Sequence, residues 1–291
     1  HDIGINIVRN EQGELGYRIL VGGGLGRTPI IGTEIRSFLP EQDLLTYLDA
    51  IIRIYNQFGR RDNKYKARIK ILVKALGVER MQELVEAEWQ RIKDGEDKLT
   101  QDELERVKAH FTAPDYKSLS DNPADYQQAL SDDAAFARWV QRNVRAHKQP
   151  GYAIVNLSLK QKGNAPGDVT AEQMDAIADL AEQFSLGEIR STHQQNLVLA
   201  DVEQQRLYEL WQQAKANGLA TPTLGLLTDM ICCPGGDFCA LANAKSIPVA
   251  EAIQVRFDDL AFLHDLGEID LNISGCMNAC GHYHVGNIGV L

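Results

Sequence analysis

All five cysteines of the chain fall between positions 232 and 280. Cys233 and Cys239 form a C-x5-C pair, Cys276 and Cys280 form a later C-x3-C pair, and Cys232 is left over. Four thiolates carried on two turns can converge on one centre. Thiolate is the ligand that both zinc and iron–sulfur clusters prefer. Structural zinc sites usually use tighter knuckles around one small ion, whereas the wider x5 loop suits a larger object such as a cubane. Spacing leaves both open. A disulfide framework is the third reading, disfavoured by the odd cysteine count and by a chain large enough to need no staples.

The arrangement around the cysteines is more particular than their spacing. The run Cys232-Cys233-Pro234-Gly235-Gly236-Asp237-Phe238-Cys239 and the later Gly275-Cys276-Met277-Asn278-Ala279-Cys280 resemble the cluster- and siroheme-binding signature of the assimilatory sulfite and nitrite reductases. There, a C-x5-C pair and a G-C-x-N-x-C pair hold a [4Fe-4S] cluster. The resemblance implies Cys233, Cys239, Cys276 and Cys280 as cluster ligands, with Cys280 also bridging to the siroheme iron. It implies Asn278 beside the siroheme; the alternative role for Asn278 is a turn residue in a left-handed backbone.

Composition bounds the rest. The 291 residues are 44% hydrophobic and 24% charged, which suits a soluble protein of two or more domains. No run approaches the roughly eighteen apolar residues of a membrane span, so no membrane partner is expected. A formal net charge of −10 argues against nucleic acid, whose phosphates need concentrated positive charge. A small anionic substrate is still compatible, since a local basic pocket can dominate inside a cleft. Free cysteines around a metal centre point to a reducing compartment, read as the cytoplasm. His1 and Leu291 both lie in strand-like runs, and we read the chain as a fragment from the middle to C-terminal part of a longer protein.

The elements that must position these residues can be taken in order. Residues 3–22 read as a hairpin turning at Asn10-Glu11-Gln12-Gly13, followed by the glycine cluster Gly22-Gly23-Gly24-Leu25-Gly26, a tight turn or an anion-wrapping nest. It fits neither common nucleotide pattern. The family carries a similar stretch in its first siroheme-binding domain, which implies a cofactor-facing loop. Residues 40–59 predict a helix with Leu44, Leu45, Leu48, Ile51, Ile52 and Tyr55 on one face. The basic run from Arg60 to Lys70 is either a solvated face or a partner for the siroheme carboxylates; by alignment with the family, Arg68 is the siroheme contact. From Val78 to about Leu130 the chain reads as a charged helical connector, with Thr100 and Glu103 opening one helix.

Residues 134–226 predict a helix and then the order βαββα, half of a ferredoxin-like sandwich, with a capping box at Thr170 and Gln173. Arg190, Thr192 and Gln195 alternate with other residues and could project as a set from a pleat. The stretch is similar to the family's R-x-T-x-x-Q-N element, which implies that the three face siroheme. Residues 240–244 and 247–257 predict helices, and His282 and His284 read as structural histidines on a strand.

The expected fold class is therefore α+β: a ferredoxin-like half-domain plus mixed α/β siroheme and iron–sulfur binding domains. The expected domains are 1–80 (the remainder of a first siroheme-binding domain), 81–133 (connector), 134–226 (the half-domain) and 227–291 (a truncated siroheme and cluster domain). The resemblance implies six-electron reduction of sulfite to sulfide, or of nitrite to ammonia, with electrons from a flavoprotein reductase or a ferredoxin. The family's basic substrate-binding residues precede the point matching His1, so no catalytic residue is assigned and the fragment alone is expected to be inactive. A structural zinc protein and a simple iron–sulfur electron carrier are the alternatives from other classes.

Overall fold

The computed structural model describes residues 1–95 and 98–291. The chain divides into two compact units, His1–Ala113 and Pro114–Leu291.

In the first unit, β1 (Ile3–Arg9), β2 (Leu15–Val21) and β3 (Thr33–Pro40) form an antiparallel sheet in that order. The β1–β2 turn closes because Asn10 Oδ1 accepts from the amides of Gln12 and Glu14, at 3.1 and 2.8 Å, and Gly13 takes a φ of 81°. Helices α1 (Leu44–Phe58), α2 (Ile69–Leu76), α3 (Val78–Ile92) and α4 (Gln101–Lys108) follow. Tyr47, Ala50, Ile51 and Ile54 form the buried stripe of α1, while Leu45 and Ile52 face solvent. The stripe is thus rotated from the expected one. Tyr47 turns it inward, because its hydroxyl donates to Glu86 at 2.8 Å and Glu86 also receives Arg36. α3, expected in a connector, instead supplies Met81, Val85, Trp89 and Ile92 to this core, a stripe at helical spacing.

The second unit begins with a segment hooked onto the half-domain. Tyr116 donates to Asp201 at 2.6 Å, the Lys117 amide to the Tyr152 hydroxyl at 3.0 Å, and the Gly151 amide to Asp121 at 2.7 Å. Then come α5 (Ala124–Asp132), α6 (Ala134–Asn143), β4 (Val144–Ala146), β5 (Tyr152–Leu157), α7 (Ala171–Phe184), β6 (Arg190–Ser191), β7 (Leu197–Glu203) and α8 (Leu207–Ala216). The strands pair antiparallel in the order β4-β5-β7-β6. From β5 onward this is the βαββα order of the ferredoxin-like half. Ala153, Val155 and Leu157 alternate into a core shared with Phe136, Trp139, Leu180 and Trp211, as the pleat requires. Thr170 and Gln173 complete both halves of the capping box on α7.

The chain continues through β8 (Ile231–Cys232), α9 (Gly235–Phe238), α10 (Ile247–Arg256), α11 (Leu260–Leu266), β9 (Leu271–Ile273) and β10 (Ile288–Val290). β8 and β10 flank β9, both parallel to it. Leu226, Met230, Cys232, Leu263, Leu271 and Ile273 belong to the core of this α/β layer.

Candidate metal centre at the ends of two parallel strands

The registers Ile231↔Asn272 and Cys232↔Ile273 put β8 and β9 side by side and pointing the same way. Both cysteine-bearing turns therefore leave adjacent carboxyl ends, the position at which open α/β sheets hold ligands. The turns are stitched together by backbone. Gly275 O accepts from the amides of Asn243 and Ala244, at 2.8 and 3.0 Å, and the Cys233 amide donates to Ile273 O at 3.1 Å. The Gly275 amide points at sulfur, reaching Cys233 Sγ at 3.0 Å, and Ser246 Oγ lies 3.3 Å from the same sulfur.

Two glycines make this approach possible. A Cβ on Gly275 would meet Ala244 O at 2.6 Å and Gly235 Cα at 2.9 Å, and one on Gly235, whose φ is +57°, would meet Ser246 Oγ at 2.2 Å. The residues expected to form a helix at 240–244 instead form turns. The amides of Asn243 and Ala244 are spent on Gly275 O across the site, and the short helix α9 lies between Cys233 and Cys239.

Cys280 is exposed and Cys233, Cys239 and Cys276 are half-buried. Burial raises the Cys280 thiol pKa, and the neighbouring Cys233, Cys276 and Cys239 raise it further, so all four sulfurs share one electrostatic environment. Among the described residues, no three His, Cys, Asp or Glu side chains converge closely enough to hold a single ion. Cys232 differs from the four. It is 3% exposed, part of the core beneath β8, and directs its thiol to Cys233 O at 3.3 Å. Burial above all pushes that thiol up to about 12, which keeps it protonated at neutral pH.

The remaining expected residues divide. Asn278 is exposed at the tip of the second turn, and the left-handed residues there are Ala279 and His282, with φ of 59° and 55°. The backbone thus places no left-handed demand on Asn278. His282 and His284 lie in a turn rather than on a strand, because the His282 amide donates to Ala279 O and the Val285 amide to His282 O. His282 and Cys280 line a cavity of about 180 Å³ with His193, Asp229, Asp270 and Asn272.

Arg190, Thr192 and Gln195 do not project as a set. Arg190 is exposed on the edge strand and pairs with Glu188, Thr192 Oγ1 closes its own turn by accepting from the Asn196 amide, and Gln195 turns to the backbone of Cys232. Strand β6 is only two residues long, so no pleat runs through all three. In the first unit, Arg68 makes a two-point ion pair with Asp2, at 2.9 and 2.7 Å, and its guanidinium lies against Gly24. Lys70 holds the same glycine loop, donating to Leu25 O and Thr28 O at 2.9 Å each.

A buried polar group behind β8 had no sequence signal. Lys160 and Asn196 are each 2% exposed and Asp229 is 9% exposed. Lys160 Nζ donates to Gln194 O at 2.8 Å and Gln195 O at 3.2 Å, and Asn196 joins the Leu159 amide to Asp229. Burial drives the Lys160 pKa down to about 8, against the opposing pull of Asp229.

Two family models match the chain: the nitrite and sulphite reductase 4Fe-4S domain over residues 1–93, and the nitrite/sulfite reductase ferredoxin-like half domain over residues 145–217. The cysteine turns lie outside both segments. Among curated proteins, the chain is 27% identical over 294 residues to "Sulfite reductase [ferredoxin] 2" of Mycolicibacterium paratuberculosis, covering 99% of this chain and 45% of the relative. It is 26% identical to the chloroplastic "Ferredoxin--nitrite reductase" of Arabidopsis thaliana, covering 97% of this chain and 42% of that one. The fold is similar to that of Mycobacterium tuberculosis NirA, with a TM-score of 0.69 at 23% identity over 97% of this chain and 45% of that structure. The chain thus spans less than half the length of these relatives. With both family models matched in order along it, the chain belongs to the assimilatory nitrite and sulfite reductase family.

Proposed function

We propose that the chain is the part of a siroheme- and [4Fe-4S]-dependent reductase that ligates the cluster, and that the whole protein reduces sulfite to sulfide. The observation that carries this reading is the pair of cysteine turns at the carboxyl ends of β8 and β9, joined by the Gly275 amide and sharing the electrostatic environment of Cys280. Cys233, Cys239, Cys276 and Cys280 would hold the cluster, and Cys280 is the one of the four we also assign to siroheme. When bound, the two groups would supply the one-electron redox chemistry that a six-electron reduction of a small oxyanion needs.

The rest is the work of the chain's own groups. The Gly275 amide offers a hydrogen bond to the thiolate of Cys233, which stabilises negative charge on sulfur. Gly235 and Gly275 let the two turns approach without side-chain interference. Asn278, exposed beside Cys280, is the residue we assign to the siroheme edge. Arg68, standing against the glycine loop, and Arg190, which pairs with the nearby Glu188, are cations able to turn to siroheme carboxylates.

In domain terms, we read 1–80 as the remainder of a first siroheme-binding domain, 81–133 as a connector whose first helix, α3, packs into the core of the first unit, 134–226 as the half-domain and 227–291 as the cluster domain. The donor we propose is a ferredoxin, because the relatives of both substrate types are named as ferredoxin-dependent. The thiolate centre calls for a reducing compartment, and we place it in the cytoplasm. Among the described residues, no helix is long and apolar enough to cross a membrane.

Nitrite is the second reading, since proteins named for nitrite match at almost the same identity as those named for sulfite. Relative turnover of the two anions by the full-length protein, with reduced ferredoxin or a viologen dye as donor, separates them. Preference for sulfite supports the first reading and preference for nitrite the second. Reduction of neither anion by a protein carrying siroheme and a cluster would refute both.

A further inference from the structure

Gln195 occupies a position expected to face the cofactor, yet its carboxamide is committed elsewhere. Nε2 donates to Cys232 O and Oε1 accepts from the Cys232 amide, each at 2.9 Å. This is the two-point pairing that a neighbouring strand would supply, made by one side chain to the residue before Cys233. β8 pairs with β9 over only two residues, so the Gln195 clamp is a large share of what fixes its position.

The loop carrying Gln195 is held rigidly. Gln195 has a φ of +60°, a conformation that a residue with a side chain keeps only where its surroundings impose it. The surroundings do so. Lys160 grips the carbonyls of Gln194 and Gln195, Thr192 and Asn196 close the turn, and Asn196 reaches Asp229, which also accepts from the Gly225 amide at 2.9 Å. A Cβ on Gly167 would come within 2.9 Å of Gln195 Cβ. Each of these groups lies in, or immediately beside, the ferredoxin-like half.

We propose that Gln195 is a positioning residue for the cluster. Its carboxamide locks the register of β8 and so sets the direction in which Cys233 presents its sulfur, transmitting the rigidity of the half-domain to the first cysteine turn. The inference rests on the reading of Cys233 as a cluster ligand.

The test uses the full-length protein, purified anaerobically, with Gln195→Ala, Gln195→Glu and, as a control at an exposed side chain, Gln194→Ala. Glutamate keeps the shape and the bond accepted from the Cys232 amide, but it cannot donate to Cys232 O. Amide exchange in a peptide covering Cys232 reads the clamp itself. It should accelerate about 10-fold in the alanine variant, the size expected for losing hydrogen bonds to one buried residue. Release of iron to a chelator should quicken several-fold in both Gln195 variants, and the cluster's midpoint potential should move to more negative values in Gln195→Glu, where added negative charge disfavours the incoming electron.

Wild-type exchange in the Gln195 variants overturns the clamp. Faster exchange with unchanged iron release and unchanged potential overturns the positioning role, leaving only a structural contact. If Gln195→Ala does not fold, the isosteric glutamate decides. A wild-type protein that takes up no cluster refutes the ligand reading instead, while the exchange result still decides the clamp.

Discussion

Substituting Lys160 by Met removes a cation that the fold buries at a cost. The ammonium pKa falls from 10.5 to about 8, which corresponds to about 3 kcal/mol weighing on the charged form in the folded state. Below pH 8 both folded and unfolded chains hold the proton and the folded state bears that weight. Between about 8 and 10.5 the folded state releases it first, the unfolded state binds more protons, and stability rises with pH.

Met loses the donors to Gln194 O and Gln195 O, which leaves two carbonyls unpaired at about 1–3 kcal/mol each. At pH 7 that loss is largely offset by removal of the buried charge, while Asp229 keeps its bonds from Asn196 and Gly225. Lys160→Met should therefore be within about 2 kcal/mol of wild type at pH 7, and its deficit should grow by about 3 kcal/mol by pH 10.5. Urea unfolding at intervals across this range, followed by tryptophan fluorescence, measures it, since Trp139 and Trp211 lie in the same core as Leu159, the residue before Lys160. Taking the difference between variant and wild type cancels groups common to both. A deficit independent of pH, or one that shrinks as pH rises, would refute the reasoning.

Further outcomes follow from packing. Gly281→Ala would place a Cβ 2.0 Å from Ile273 O; the second cysteine turn must move away from β9 at about 1–3 kcal/mol, seen as faster amide exchange over residues 276–282. Phe136→Ala empties a fully buried site stacked on Trp139 and should cost about 3–5 kcal/mol in denaturant unfolding. Thr170→Ala removes one half of a complete capping box and should cost about 1 kcal/mol, with faster exchange confined to the first turn of α7.

What the sequence disclosed was local. Thr170 with Gln173 and Thr100 with Glu103 act over one turn of chain, so each could be read directly, and each opens its helix in the structure. The order βαββα was legible because its strands and helices are periodic and bounded by turn residues. Failures arose where a distant partner outweighs a local preference. Residues 240–244 have helical composition, but the amides of Asn243 and Ala244 are drawn to Gly275 O, a carbonyl from the other cysteine turn. Tyr47 turned the buried stripe of α1 through a bond to Glu86 on α3.

The candidate site was legible in its cysteines and not in its support. Gln195 looked like one member of a projecting set, and nothing nearby in sequence marks Cys232 as its partner. Nothing in the sequence around Lys160 and Asp229 marks them as buried. Only the packing of three segments around one loop buries them. The short helix α11 was missed although Asp259 caps it and Gly267 ends it with a φ of 76°, both signals that the surrounding charged residues obscured.

The most direct test of the cluster reading is iron and labile-sulfide content with an optical spectrum, for anaerobically purified full-length wild type and for serine variants at each of the five cysteines in turn. The account predicts siroheme bands in the wild type with more iron than one cluster holds, loss of labile sulfide on substitution of Cys233, Cys239, Cys276 or Cys280, and wild-type content for Cys232→Ser, because the Cys232 thiol is buried in the core and stays protonated. A zinc-loaded, colourless wild type, or a Cys232 variant that loses its sulfide while a Cys233 variant keeps it, would contradict it.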